Sequence, residues 1–349
     1  MSQKKAIRIK FMDYWDGFEE RNLSVNIGTP KEFLFLRLLK KHFDVIICDD
    51  ADYVFFSAFG ESHWRVPDSA IKIFHTEENL APDFNACDYA IGFEWMEYGD
   101  RYIRFPNYLR YSRLTFDQMI HKHELGEGWD LKTEKTAFCS FVVSNPKCEK
   151  RIKIFEALSE YKRVDSGGQV LNNIGGPVKN KIEFESSHKF SICCENTSHS
   201  GYTTEKLVQA FAARTIPIYW GDPDVNKVFN PKAFINVSDY ATIDDLVDEI
   251  KRIDNDDQLY MSILKEPALL PSALSIDEEY DRLEKWLIPI FERPICESYR
   301  RNREMHGLWY IWRRHYLSIL DDRNPKKNWE LLHLFINKFI TILRFPKRS

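Results

Sequence analysis

Short apolar runs that end in polar residues recur along the first part of the chain: AIRIKFMDYW, DVIICDD, DYVFFSAFG, AIKIFHTEEN and DYAIGFEWM. Strands of a parallel sheet covered on both faces read this way, because neither face needs polar side chains. Between the first two runs, KEFLFLRLLKKHF carries its apolar residues at helical spacing. A polar stretch, LRYSRLTFDQMIHKHELGEGWDLKTEKT, interrupts the pattern, and a second series follows. There FCSFVVSN, KRVDSGG, KFSICCEN, IPIYWG and AFINVSDY read as strands, and KRIKIFEALSEY, TTEKLVQAFAA and TIDDLVDEIKRI as helices. The last helix has start signals at Thr242 or Asp244. Strands alternating with helices predict an α/β protein with open sheets. The interruption places a boundary between 134 and 135. A second domain is expected over 135–299 and a basic helical tail over 300–349.

Composition agrees with two cores: the 349 residues are 44% apolar and 14% aromatic. No run of 18 uncharged apolar residues occurs, so no membrane-spanning helix is expected. The N-terminal MSQKKAIRIKFMDYWDG lacks the apolar core of a secretory leader. The seven cysteines form no CxxC pair, and several lie in strand-like runs. Buried free thiols in a reducing compartment follow, with Cys139 and Cys193 as core residues.

Charge changes the picture at the C-terminal end. From Arg300 to Ser349 there are 12 Lys/Arg against 4 Asp/Glu, a net of +8 in a chain of net −4, which leaves −12 on the first 299 residues. A basic tail on an acidic body suits an anionic partner, or a basic face docked on that body. The run KNWELLHLFINKFITILRFPKRS shows a wide apolar face and a narrow polar stripe of Glu330, His333, Asn337, Thr341 and Arg344. This suits an interfacial helix or one packed on the protein. We expect a cytoplasmic protein, peripheral on the inner face of an anionic membrane, with no nucleic-acid partner.

Candidate chemistry gathers in the second series. Ligands of open α/β sheets bind beyond the carboxyl ends of the strands. SICCEN ends in Glu195-Asn196, and the next helix starts near Thr203 or Thr204. A helix N-terminus suits phosphate, and Lys206 in its first turn adds a full positive charge. Glu205 can accept from sugar hydroxyls, and Tyr202 offers a ring and a hydroxyl. The same spacing also fits a capped, solvated helix start. After FCSFVVSN, Arg151 falls near the start of a helix and can hold phosphate oxygens bidentately. VDSGGQVLNNIGG suits close backbone approach to a ligand. In the first series FHTEEN brings Glu77 and Glu78 to the end of a strand, as a general base or as exposed loop carboxylates. Asp222-Pro-Asp224 has the DxD spacing that holds Mg²⁺ in some sugar transferases. His121-Lys-His123-Glu124 reads as a solvated linker. No GxSxG, HExxH or Walker A run occurs.

The stretch from Phe138 to Tyr240, with FCSFVVSNP, VDSGG, NNIG, VKNKIEF, YTTEK and FNPKAFINV, resembles the signature region of the α1,3-fucosyltransferases, above all the bacterial enzymes of Lewis-type antigens. HTEEN…PDFNACDYAIGFEWM…DRYIRFPNY resembles the acceptor-domain motif of the same group. The resemblance implies two facing Rossmann-like domains of GT-B type, with the donor in the second. It implies inverting transfer of fucose from GDP-fucose to the 3-hydroxyl of N-acetylglucosamine in a Galβ1,4GlcNAc acceptor. Glu78 then matches the general base. Arg151, Asn196, Tyr202, Glu205 and Lys206 match donor contacts, and no metal or other cofactor is needed. Another GDP-sugar, a 4-linkage on type 1 acceptors, or a non-catalytic sugar-binding scaffold are the alternatives. The chain departs from the group in three places: EEN stands where GEN is common, no heptad repeats lie between Ile290 and Leu331, and Asp222 replaces a small neutral residue. Acceptor choice is expected to rest on loops around 13–20 and 98–113, where Trp15 and Phe18 could stack on a sugar or, as is commoner for aromatics, belong to the core.

Overall fold

The computed structural model describes residues 4–18, 23, 33–110 and 112–320. The amphipathic run 327–349, and with it the expected interfacial helix, lies outside the described residues. The chain divides into two compact units. The first comprises Met1–Ile91, Glu97–Ile103 and Glu284–Ser349, and the second Gly92–Met96 and Arg104–Leu283. The division therefore differs from a single cut near 134 followed by a separate tail.

The first unit is built on β1 (Ala6–Met12), α1 (Leu34–His42), β2 (Asp44–Ile47), β3 (Tyr53–Phe56), β4 (Ile71–His75), β5 (Tyr89–Gly92) and β6 (Tyr102–Arg104). They form one six-stranded sheet in the order β2-β1-β3-β4-β5-β6. The pairs from β2 through β5 are parallel. β3 and β4 are buried at every position, as near-continuous apolar runs must be in the middle of such a sheet.

The start of the basic C-terminal segment belongs to this unit. Arg301, only 5% exposed, donates from its backbone N and its Nε to the fully buried Asp88 at 2.9 Å. Arg300 pairs with Asp100 at 2.6 Å. In the following helix, Met305–Leu320, Tyr310 donates to Asp83 at 2.6 Å. A buried carboxylate requires such a partner. This part of the excess positive charge is thus spent on docking.

The second unit holds α2 (Arg113–Ile120), α3 (Leu131–Glu134), β7 (Ala137–Phe141), α4 (Glu149–Tyr161), β8 (Val164–Ser166), α5 (Lys181–Ser186), β9 (His188–Ile192), α6 (Glu205–Ala212), β10 (Ile216–Tyr219), β11 (Ile235–Asn236), α7 (Ile243–Asp254) and α8 (Asp257–Leu264). Its five-stranded parallel sheet runs β11-β10-β9-β7-β8. α7 starts at Thr242 with a reciprocal capping box to Asp245. The stretch expected to be a polar linker contains α2. Ser112 caps it, and it buries Phe116 and Met119 against the same unit, packing on α6. Two apolar residues three apart suffice for a short helix with a narrow buried stripe.

Lys122, just after α2, is fully buried and donates to the Leu264 carbonyl at 2.8 Å. Burial pushes its ammonium down to about 7 from the ordinary 10.5. The unfolded chain keeps that proton up to its ordinary value, so folding releases it between those limits and the cost of burial shrinks as pH rises. Lys122→Met is therefore expected to raise the melting midpoint at pH 7, with a gain that declines toward pH 10. Calorimetry of both proteins at pH 6, 8 and 10 checks this; a gain independent of pH would contradict it.

Candidate active site

In the second sheet the chain order reverses at β7, which has β8 on one side and β9 on the other. Ligands of doubly wound sheets bind in the crevice beyond the carboxyl ends at such a reversal. The loop after β7 leads into α4, whose first turn carries Arg151, and the loop after β9 carries Glu195 and Asn196. Arg151 is 1% exposed. Its Nη1 donates to Asn196 Oδ1 at 3.0 Å and to the Cys194 carbonyl at 3.4 Å, and its Nη2 donates to the Asn145 carbonyl. One guanidinium thus ties together the two loops that flank the reversal. Its Nε is buried without a partner among the described residues, which leaves one donor uncommitted.

Beside this lies a cluster that the sequence reading resolved only in part. Glu195 is 0% exposed. Its Oε1 accepts from Thr204 N and Oγ1, both at 2.8 Å, and its Oε2 accepts from Lys206 Nζ at 3.0 Å. Lys206 also meets Thr204 Oγ1 at 2.9 Å and Glu205 Oε1 at 3.4 Å. Burial alone would lower the Lys206 ammonium, but Glu195 and Glu205 outweigh it and hold it above the usual lysine range. Burial likewise pulls Glu205 up, but Lys206 and Lys181 outweigh it and leave it below the usual carboxylate range. For Glu195 burial prevails over Lys206, and its carboxyl is raised. The start of α6 therefore already holds an anion of the protein's own. At the helix N-terminus expected to suit phosphate, the Thr204 N–H is given to Glu195.

The turn before α6 is braced from the loop after β10. Asp222, 6% exposed, accepts at Oδ1 from Gly201 N and Asp224 N, both at 2.8 Å, and at Oδ2 from Thr203 Oγ1 at 3.0 Å. Asp224 accepts from Ser200 Oγ and pairs with Lys227 at 3.0 Å. These two aspartates, weighed above as metal ligands, thus spend their oxygens on holding the turn. Among the described residues no group of three or more His, Cys, Asp or Glu side chains is placed to hold a metal ion. Gly201 has φ +82, and a Cβ there would lie 2.4 Å from the Phe93 carbonyl oxygen, so only glycine fits. The neighbouring Tyr202 is buried, with its ring 5.1 Å from Phe93. The close approach expected at VDSGG is to the protein itself: a Cβ on Gly168 would lie 2.1 Å from the Val143 carbonyl oxygen. All seven cysteines are free thiols, and Cys139 and Cys193 are buried.

The structure thus brings Arg151 and Asn196 into contact, and Glu205 and Lys206 into one cluster, with Tyr202 in the same turn region. Glu78 belongs to the first unit. It lies three residues beyond β4, exposed, with its backbone N donating to Thr76 Oγ1 at 3.1 Å. In that unit Phe18 is 3% exposed and its ring stacks on Tyr14 at 4.0 Å, so it is a core residue and not a sugar platform. Trp15 meets Phe18 edge-on at 4.9 Å. Glu195 was missed because its position at a strand end carried no signal of what its side chain would hold.

Comparisons with known proteins find relatives for both parts of the chain. Residues 9–111 match the alpha-(1,3)-fucosyltransferase FucT N-terminal domain, and residues 132–266 match the C-terminal part of glycosyltransferase family 10 (fucosyltransferase). The alpha-(1,3)-fucosyltransferase FucT of Helicobacter pylori is 37% identical over 235 residues, 58% of this chain and 48% of that protein. The human 4-galactosyl-N-acetylglucosaminide 3-alpha-L-fucosyltransferase 9 is 33% identical over 131 residues, 37% of this chain and 36% of that protein. The chain spans about half, or less, of the length of these curated relatives. Among solved structures, an α1,3-fucosyltransferase with GDP-fucose is 30% identical, with a TM-score of 0.63 over 82% of this chain and 92% of that one. Another α1,3-fucosyltransferase structure has a TM-score of 0.69 at 29% identity, over 86% of this chain and 93% of that one. Two parallel sheets of Rossmann-like order, the polar groups gathered at the reversal of the second, and these likenesses place the chain in one family: it belongs to the α1,3-fucosyltransferases of glycosyltransferase family 10.

Proposed function

We propose that the chain transfers L-fucose from GDP-fucose to the 3-hydroxyl of N-acetylglucosamine in Galβ1,4GlcNAc-type acceptors, with inversion, giving a Lewis X-type product. The observation that carries the reading is the meeting of Arg151 and Asn196 across the β7/β9 reversal. A nucleoside diphosphate is the ligand class that such a crevice, flanked by Arg151 and Lys206, suits best. The solved relative with GDP-fucose supports the donor, and the name of the human relative supports the acceptor.

In this reading the acceptor O3 attacks the anomeric carbon of fucose, and the bond from that carbon to the β-phosphate oxygen breaks. Glu78 takes the hydroxyl proton, and the electron pair leaves with GDP through an oxocarbenium-like transition state. Lys206 and Arg151 stabilise the charge gathering on the diphosphate, so no metal or other cofactor is required. Asn196 holds Arg151, Glu205 accepts from donor hydroxyls, and Tyr202 lines the sugar side. The part of the basic tail not received by the first unit docks the protein peripherally on the inner, anionic face of the cytoplasmic membrane.

The test uses the full chain in EDTA with GDP-fucose and N-acetyllactosamine, the product linkage being read by NMR. A 3-linked fucose is expected. GDP at a hundred times its Kd should stabilise the fold by about 2.7 kcal/mol against heat. No thermal shift at millimolar GDP, or activity restored only by Mn²⁺, would overturn the donor assignment or its metal independence respectively.

A further inference from the structure

We infer that Glu195 is a positioning residue of the transfer reaction: it fixes the Lys206 ammonium for the leaving diphosphate without touching the donor. The inference rests on the functional reading above and extends it to a residue behind the site.

Glu195 cannot itself be a contact, since none of its surface is exposed. Its carboxylate is nonetheless fully committed: to the backbone N and hydroxyl of Thr204 at the start of α6, and to Lys206 Nζ at 3.0 Å. Thr204 Oγ1 closes the arrangement, lying 2.8 Å from both carboxylate oxygens and 2.9 Å from Lys206 Nζ. The loop after β10 is packed closely against the side chain: a Cβ on Gly221 would lie 2.5 Å from Glu195 Cγ.

A lysine carries its charge on a four-carbon stem with much rotamer freedom to lose. Catalysis gains most from charges aimed before the reaction begins, because they then need no reorganisation as charge develops. Glu195 supplies that aim from beneath, and Glu205 from the side. Lys181 of α5 is a further charge acting on Glu205, and the buried Tyr219 of β10 lies within reach of the Glu195 charge. Removing the Glu195 charge loosens Lys206 and also removes a negative charge from beside the diphosphate. The two effects oppose one another in GDP binding, and in turnover the loss of a preorganised ammonium is expected to outweigh the relief of repulsion.

Glu195→Gln keeps the shape and the acceptor for Thr204. We expect its kcat to fall by about 10- to 100-fold, while its Kd for GDP, by calorimetry, stays within threefold of wild type or tightens. The alkaline limb of its kcat profile should move to lower pH, because Lys206 has lost a carboxylate partner. Thr204→Val, which opens the bridge from the other side, should give the same split with a smaller loss and stands in if Glu195→Gln fails to fold. Turnover and pH profile like wild type in either folded variant would overturn the inference. So would GDP affinity falling in step with kcat. A wild-type protein that neither binds GDP nor transfers fucose would overturn the functional reading itself, whatever the variants do.

Discussion

Glu78→Gln is expected to bind GDP as the wild type does and to lose transfer, with kcat lower by about 10²- to 10⁴-fold, the range that a positioned general base contributes. The glutamine has the same size and keeps the backbone turn, in which the residue 78 N–H donates to Thr76 Oγ1. The side chain is exposed, so stability should stay within about 0.5 kcal/mol. What changes is the capacity to receive a proton. Steady-state kinetics with GDP calorimetry on the same preparation checks this. Near-normal turnover would remove Glu78 from the role and leave the adjoining Glu77 as the carboxylate to examine.

Lys206→Ala should cost transfer about 10²- to 10³-fold, the usual effect of deleting one preorganised donor to developing charge. It should also weaken the fold. The substitution strands Glu195 in a site with no exposure, and breaking a buried pair from one side costs about 3–5 kcal/mol. The loss has a pH signature whose sign is fixed. Without Lys206, burial raises the folded-state Glu195 carboxyl still further above its unfolded value of 4.5. The folded variant then holds a proton that the unfolded chain has released, so destabilisation is small near pH 4.5 and grows as pH rises. Thermal midpoints of variant and wild type between pH 5 and 8 should diverge; parallel curves would mean that Glu195 finds another partner.

Much of the second unit's helix-start arrangement was legible in the sequence because it is local. Thr242 opens its helix as the capping pattern indicated, and Lys206 falls in the first turn of α6 as TTEKLVQAF suggested. Arg151 lands in the first turn of α4 for the same reason. Contacts that span the chain left no such trace. Nothing in Asn196 announces an arginine 45 positions away. Asp222 and Asp224 carried a metal-like spacing, yet their oxygens are taken by Gly201, Thr203 and Ser200. The polar stretch after Leu109 concealed α2 because only Phe116 and Met119 mark its buried side. The basic residues at 300 and 301 suited either an outside partner or docking on the acidic body, and two aspartates of the first unit receive them.

The pairing of Arg301 with Asp88 sets an order of events during translation. The two residues lie 213 positions apart. At roughly 5–20 residues per second, Asp88 leaves the ribosome about 10–40 s before its counter-ion is made. The strands nearest the N-terminus are therefore synthesised first and completed last. The unit spanning Arg104–Leu283 has its whole sheet earlier and can close while the other waits. In the interval the first sheet stands with the Asp88 carboxylate still lacking the arginine that it will be buried against.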